Sequence, residues 1–153
     1  MVILFLKKTQ QVIYLIKISK ESKNMNVEII QKEIDGTDYW DMEILDLNSL
    51  YFGDEIEMII DNDDDTCWKI VFLSCFKVSY ETDANWRKMQ KVKDMKEPQL
   101  GYYGQDITVS ESEEFDFYKI DMDLSIMTIC IECKNVLVEK IYKENLNLFW
   151  KSN

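Results

Sequence analysis

The fifteen residues Thr66-Cys-Trp-Lys-Ile-Val-Phe-Leu-Ser-Cys-Phe-Lys-Val-Ser-Tyr80 constrain the fold most. Every second residue from Trp68 gives Ile70, Phe72, Ser74, Phe76, Val78 and Tyr80, an almost wholly apolar face. The alternate set, Cys67, Lys69, Val71, Leu73, Cys75, Lys77 and Ser79, is apolar in its middle. Successive side chains of a strand point to opposite faces, so this pattern predicts a long strand, covered on one side and partly covered on the other.

Shorter segments repeat the pattern. Val27 to Ile34 fits either a strand or a short helix, with Val27, Ile30 and Ile34 on a helical face, and Gly36-Thr-Asp38 breaks it. Tyr39 to Phe52 reads as a strand with Leu45, Leu47 and Tyr51 in phase, ended by Gly53. Glu55 to Asp61 is a second, with Ile56, Met58 and Ile60 on one face. Asp61-Asn-Asp-Asp-Asp65 then makes an Asx-rich hairpin connection into the long strand. Its aspartates also match the start of a calcium loop, but Thr66 stands where the turn glycine belongs and no closing Glu follows.

Beyond Tyr80, Asp83 is placed to cap a short helix with Trp86, Met89 and Val92 inward, ended by Pro98. Gln99-Leu-Gly-Tyr-Tyr-Gly-Gln-Asp106 is a loop carrying adjacent tyrosines. Ile107 to Val109 starts a strand, Ser110 to Glu114 is an acidic turn, and Phe115 to Leu124 alternates through Tyr118, Ile120 and Met122. Ile126 to Cys133 and Val136 to Tyr142 follow as a hairpin around Lys134-Asn135, and Leu146 to Trp150 is apolar enough to dock. Seven or eight strands with short connections predict a mainly β fold: an antiparallel sheet curled into a sandwich or half-barrel, with one short helix.

At 153 residues, 46% apolar and 12% aromatic, the chain is long enough for one domain with a real core. Its net charge of −11 disfavours nucleic acid and anionic membranes, and suits a basic partner or plain solubility. There is no histidine, which removes the commonest general base and metal ligand. The reading therefore points away from an enzyme. The single arginine, Arg87, is a candidate for a planar hydrogen bond or a stacking contact.

Cys67 and Cys75 fall on one face of the long strand, too far apart to bond. Cys130-Ile-Glu-Cys133 has C-x-x-C spacing, but in an extended segment its thiols point to opposite faces. The expectation is reduced structural cysteines in a cytoplasmic protein, with no cofactor and no metal.

Residues 1–24 differ from the rest. They hold five lysines against one glutamate and two short apolar runs, too brief and interrupted to span a membrane. They are expected to be a non-core extension, with Met25 as an alternative start and 25–153 as the single β-rich domain.

The blocks Asp65-Thr-Cys-Trp-Lys-Ile70, Ser74-Cys-Phe-Lys-Val-Ser-Tyr-Glu-Thr-Asp-Ala-Asn-Trp-Arg87, Val92-Lys-Asp-Met95 and Gln99-Leu-Gly-Tyr-Tyr-Gly-Gln-Asp-Ile107 resemble the YxiG-like proteins of Bacillus and related bacteria. The resemblance covers about Met25 to Trp150. It implies a small acidic protein encoded near a cell-wall-associated polymorphic toxin and acting as its immunity factor. It brings no catalytic residues.

Two functions are expected from these readings. The first is a non-catalytic cytoplasmic binding protein, concretely an immunity protein that neutralises a basic toxin domain. Its contacts would be Asp61, Asp63, Asp64, Asp65, Glu111, Glu113 and Glu114, with Tyr102 and Tyr103 as anchors. The alternative is a small polar-ligand binder or enzyme. It would use Glu81, Asp83, Trp86 and Arg87 with Gln99, Gln105 and Asp106, and needs those two loops to line one pocket.

Overall fold

The structure is a computed structural model describing residues 11–13, 26–87 and 90–152. The extension expected over residues 1–24 falls outside these apart from 11–13, which are helical with exposed side chains. Met25 and Met89 also lie outside.

Residues 26–35 form a helix, α1, which settles the ambiguity of that segment. Ile30 and Ile34 are buried on one face and Val27 packs beside them. Thr37 ends the helix by donating its hydroxyl to Ile34 O at 2.7 Å.

Eight strands follow: β1 Ile44–Leu50, β2 Glu55–Asp61, β3 Thr66–Leu73, β4 Lys77–Thr82, β5 Asp106–Glu111, β6 Tyr118–Asp123, β7 Met127–Cys133 and β8 Asn135–Tyr142. A one-turn helix, α2 (Ala84–Arg87), separates β4 from β5. The strands make two antiparallel four-stranded sheets, in the orders β1-β2-β3-β8 and β4-β7-β6-β5. The inner faces share one core: Ile56, Met58, Ile60, Ile70 and Phe72 of the first sheet belong to the same cluster as Ile107, Ile120, Met122, Ile129 and Ile131 of the second. Burying these side chains is the main source of stability, each contributing about 1.5–3 kcal/mol.

The long strand is real but bent. Thr66 to Leu73 lies in the first sheet and Lys77 to Thr82 in the second. Leu73 pairs with Asn135 and Lys77 with Glu132, so three residues at the corner face two on the partner. An extra residue of this kind is a β-bulge, which bends a strand and sharpens its twist. Ser74 takes it up with φ 53°. Phe76 N donates to Glu132 O at 3.0 Å and Lys134 N to Leu73 O at 3.0 Å, so the ladder continues through the corner.

Three expectations are corrected here. The β7–β8 segment is no hairpin: β7 pairs with β4 and β6, while β8 pairs with β3, so Lys134 is the partner strand's own bend. Cys67 and Cys75 do not share a face, because the bulge between them shifts the alternation. Cys67 is buried in a small outer cluster with Leu45, Ile59 and Leu148, whereas Cys75 packs on the main core. The first strand begins only at Ile44, and Leu45 and Leu47 are out of phase. Ile44 opposes Ile60 and Asp46 opposes Ile59, so Leu45 is an inserted residue and turns outward. The tail docks there as expected: Trp150 Nε1 donates to Leu45 O at 2.9 Å.

Candidate partner-binding surface

The long bent strand has β2 beside its first half. Beside its second half, β4, stands an open groove of about 560 Å³ between the two sheets, largely apolar. Leu47 and Ile56 form one wall, Val78 and Tyr80 the other, and Tyr102 and Leu100 its far end. Tyr80 pairs with Ile129 on the core-facing side of its sheet, yet it is 69% exposed.

The β1–β2 turn forms the lip. Tyr51 and Phe52 both have left-handed backbones, φ 52° and 57°, and Gly53 follows at φ 90°. That conformation is costly for residues with a Cβ. Here it turns two large aromatics outward, with Phe52 fully exposed. Asp54 O accepts from Cys75 N at 2.8 Å, which fastens the turn to the corner of the long strand.

Tyr80 also borders a shallower depression of about 460 Å³ on the outer face of the second sheet, lined by Glu81, Asp106, Asp121 and Asp123. Asp106 and Asp123 are directly opposite in register, an arrangement that costs stability through like-charge repulsion. Lys119 lies 3.8 Å from Asp121. Apolar groove and acidic face thus meet at one tyrosine.

The aspartates of the β2–β3 turn divide into two kinds. Asp61 binds Lys143 Nζ at 2.6 Å. Asp63 Oδ1 accepts from Thr66 N at 2.7 Å, Thr66 Oγ1 at 2.7 Å and Asp65 N at 3.0 Å, and these bonds hold its carboxyl below the usual range. Both shape the turn, whereas Asp64 and Asp65 present exposed side chains to solvent. In the β5–β6 turn Glu111 is half-buried, with Oε1 unpartnered among the described residues, and Glu113 and Glu114 are exposed.

Tyr102 and Tyr103 are half-buried against the start of β1, where Ile44 N donates to Tyr102 O at 2.9 Å and Glu43 bridges Tyr103. Burial pushes the Glu43 carboxyl up to about 7, helped by its hydrogen bond with Glu97 and the charges of Glu97 and Asp61.

The alternative set comes together in part. Glu81 and Asp106 share the acidic depression. Asp83 caps α2 by accepting from Asn85 N at 2.9 Å. Trp86 sits over Gly101, where a Cβ would come within 2.7 Å of its indole nitrogen. Gln99 accepts from Lys96 N at 2.8 Å and Gln105 donates to Asp41 Oδ1 at 3.1 Å. Only the backbone of Arg87 is described.

The thiols are dispersed, except that Cys75 and Cys133 interact at the corner. The neighbouring Cys75 and burial push the Cys133 thiol up. Among the described residues no three Cys, Asp or Glu side chains gather as metal ligands.

Sequence reasoning missed Tyr51 and Phe52 because they continue the alternation of the preceding strand. The Gly53-Asp54 pair directly after them was the available signal of a turn.

A model of a family described as immunity protein PIM7 matches residues 26–140, which take in α1 and all the strands up to most of β8. No curated protein matches the chain.

Proposed function

Since the chain belongs to the PIM7 family of immunity proteins, we propose that it neutralises a toxin domain in the cytoplasm by binding it one-to-one, without catalysis. We read its setting as that of the YxiG-like proteins, beside a polymorphic toxin gene. The observation that carries the choice of surface is the meeting of an apolar groove and an acidic sheet face at Tyr80. Desolvated aromatics give an interface its affinity, and complementary charge gives it speed. Nuclease toxins have basic substrate clefts, which an acidic face would approach quickly and cover.

The test is survival. The toxin domain encoded beside the gene is induced in a sensitive host, with and without this chain, and the pair is then sized by gel filtration. Rescue with an equimolar complex is the expected result. Equal killing in both strains, with no co-eluting complex, sinks the reading.

A further inference from the structure

Among the described residues, no strand pairs with the open side of β4. β2 lies beside β3 and β6 beside β7. In line with β2, the place beside β4 holds no strand among the described residues. β2 cannot reach it, because the Tyr51–Gly53 turn ends the hairpin at the corner.

Two of the other edges, β5 and β1, have capped amides, whereas β8, like β4, has no further strand beside it among the described residues. On β5, Val109 N donates to Gln31 Oε1 at 2.7 Å and Ile107 N to Tyr39 Oη at 2.9 Å. On β1, Ile44 N is taken by Tyr102 O, and Leu47 N by its neighbour Asp46 at 2.9 Å. Such cover is how natural sheets protect their edges.

For β4 the phase of the ladder can be read from its end. Asp83 N donates to Ile126 O at 2.8 Å, in line with the β4–β7 register. Hydrogen-bonded pairs recur every second residue of an antiparallel ladder. The amides of Glu81, Ser79 and Lys77 therefore serve β7, and those of Val78 and Tyr80 face the open side.

We propose that this position takes an extended segment of the toxin domain, added as a strand on β4, an assignment that rests on the immunity reading above. Strand alternation fits both surfaces at once. Alternate apolar side chains of the segment would enter the groove against Phe52, Val78 and Tyr80. The intervening ones would project on the outer side beside Glu81, at the β4 rim of the acidic depression, and should be lysine or arginine. A second copy of this chain is the poorer occupant, since each copy carries a net charge of −11.

The experiment is hydrogen exchange on the full chain, alone and with the toxin domain encoded beside the gene, joined to affinities for Tyr80→Pro and Tyr80→Ala. Both variants lose the aromatic, but only proline loses the amide, and an edge strand tolerates it. The Val78 and Tyr80 amides should slow at least about tenfold in the complex, and Y80P should bind at least about tenfold more weakly than Y80A. An equimolar complex in which those amides exchange at their free rate would overturn the strand assignment while the immunity reading stands. Protection that appears without toxin and grows with protein concentration would overturn it in favour of a second copy. Failure of the unaltered chain to bind the toxin would remove both readings. The exchange measurement needs no variant, so a misfolded Y80P would not spare the proposal.

Discussion

Ser112 Oγ donates to Glu132 Oε1 at 2.7 Å, and both residues are buried. The same hydroxyl oxygen accepts from Glu114 N at 3.0 Å, so one side chain ties the β5–β6 turn to β7. Lys77 Nζ is the other partner of this carboxylate, 3.7 Å from Oε2. Ser112→Ala would leave Oε1 without its donor in a buried setting and free the turn. Losing such a bond costs about 1–3 kcal/mol. Urea unfolding should show the midpoint falling with an unchanged slope. An unchanged midpoint would mean that water serves the carboxylate equally well.

Glu43 gives stability a pH dependence of unusual sign. Its carboxyl is pushed up to about 7 in the folded chain from an ordinary 4.5, so between those values the folded state holds the extra proton. Stability from this group is complete below about pH 4.5 and is lost as pH rises through about 7. Glu43→Gln keeps a donor and never ionises. Relative to the unaltered chain, its melting temperature should be similar at about pH 5 and higher by roughly 3 °C at about pH 8.5. Parallel melting curves across that range would show that Glu43 ionises freely in the fold.

The sheet architecture was readable because burial writes period two into the sequence. Ile56, Met58 and Ile60, and Tyr118, Ile120 and Met122, are in phase as the alternation requires, and all but Tyr118 are buried. What failed was continuity across bends. A bulge adds one residue without changing composition, so the shift at Ser74 and the inserted Leu45 leave no periodic trace. The β7–β8 bend at Lys134 looks like a hairpin because a polar pair between two apolar runs marks either. Strand partners are set by tertiary packing, so the open side of β4, and with it the groove, could not be seen before the two sheets were assembled.

The backbone at Phe52 separates stability from binding. Glycine suits φ 57° better than phenylalanine, and the ring is fully exposed. Phe52→Gly should therefore raise stability slightly, by up to about 1 kcal/mol, although glycine also adds entropy to the unfolded chain. The same variant should weaken toxin binding about tenfold or more, as the loss of an interfacial aromatic does. Isothermal titration beside a urea curve reads both quantities. A variant that loses stability and keeps full affinity would show that the aromatic serves the fold instead of the partner.

The acidic β2–β3 turn should split by position when its charges are reversed. Asp64 and Asp65 have exposed side chains, so Asp64→Lys and Asp65→Lys are expected to leave the melting temperature nearly unchanged. If the turn faces a basic toxin, they should slow association several-fold at low salt. The difference should fade near 0.5 M salt, where the screening length falls to about 4 Å. Asp61→Lys should behave otherwise: it puts a like charge beside the half-buried Lys143, whose ammonium is 2.6 Å from Asp61. That variant should melt earlier whatever the partner. Stopped-flow association at two salt concentrations, beside melting curves of the free protein, distinguishes the two effects. Association rates indifferent to Asp64 and Asp65 at low salt would move the electrostatic contact to the Glu81 and Asp106 face of the second sheet.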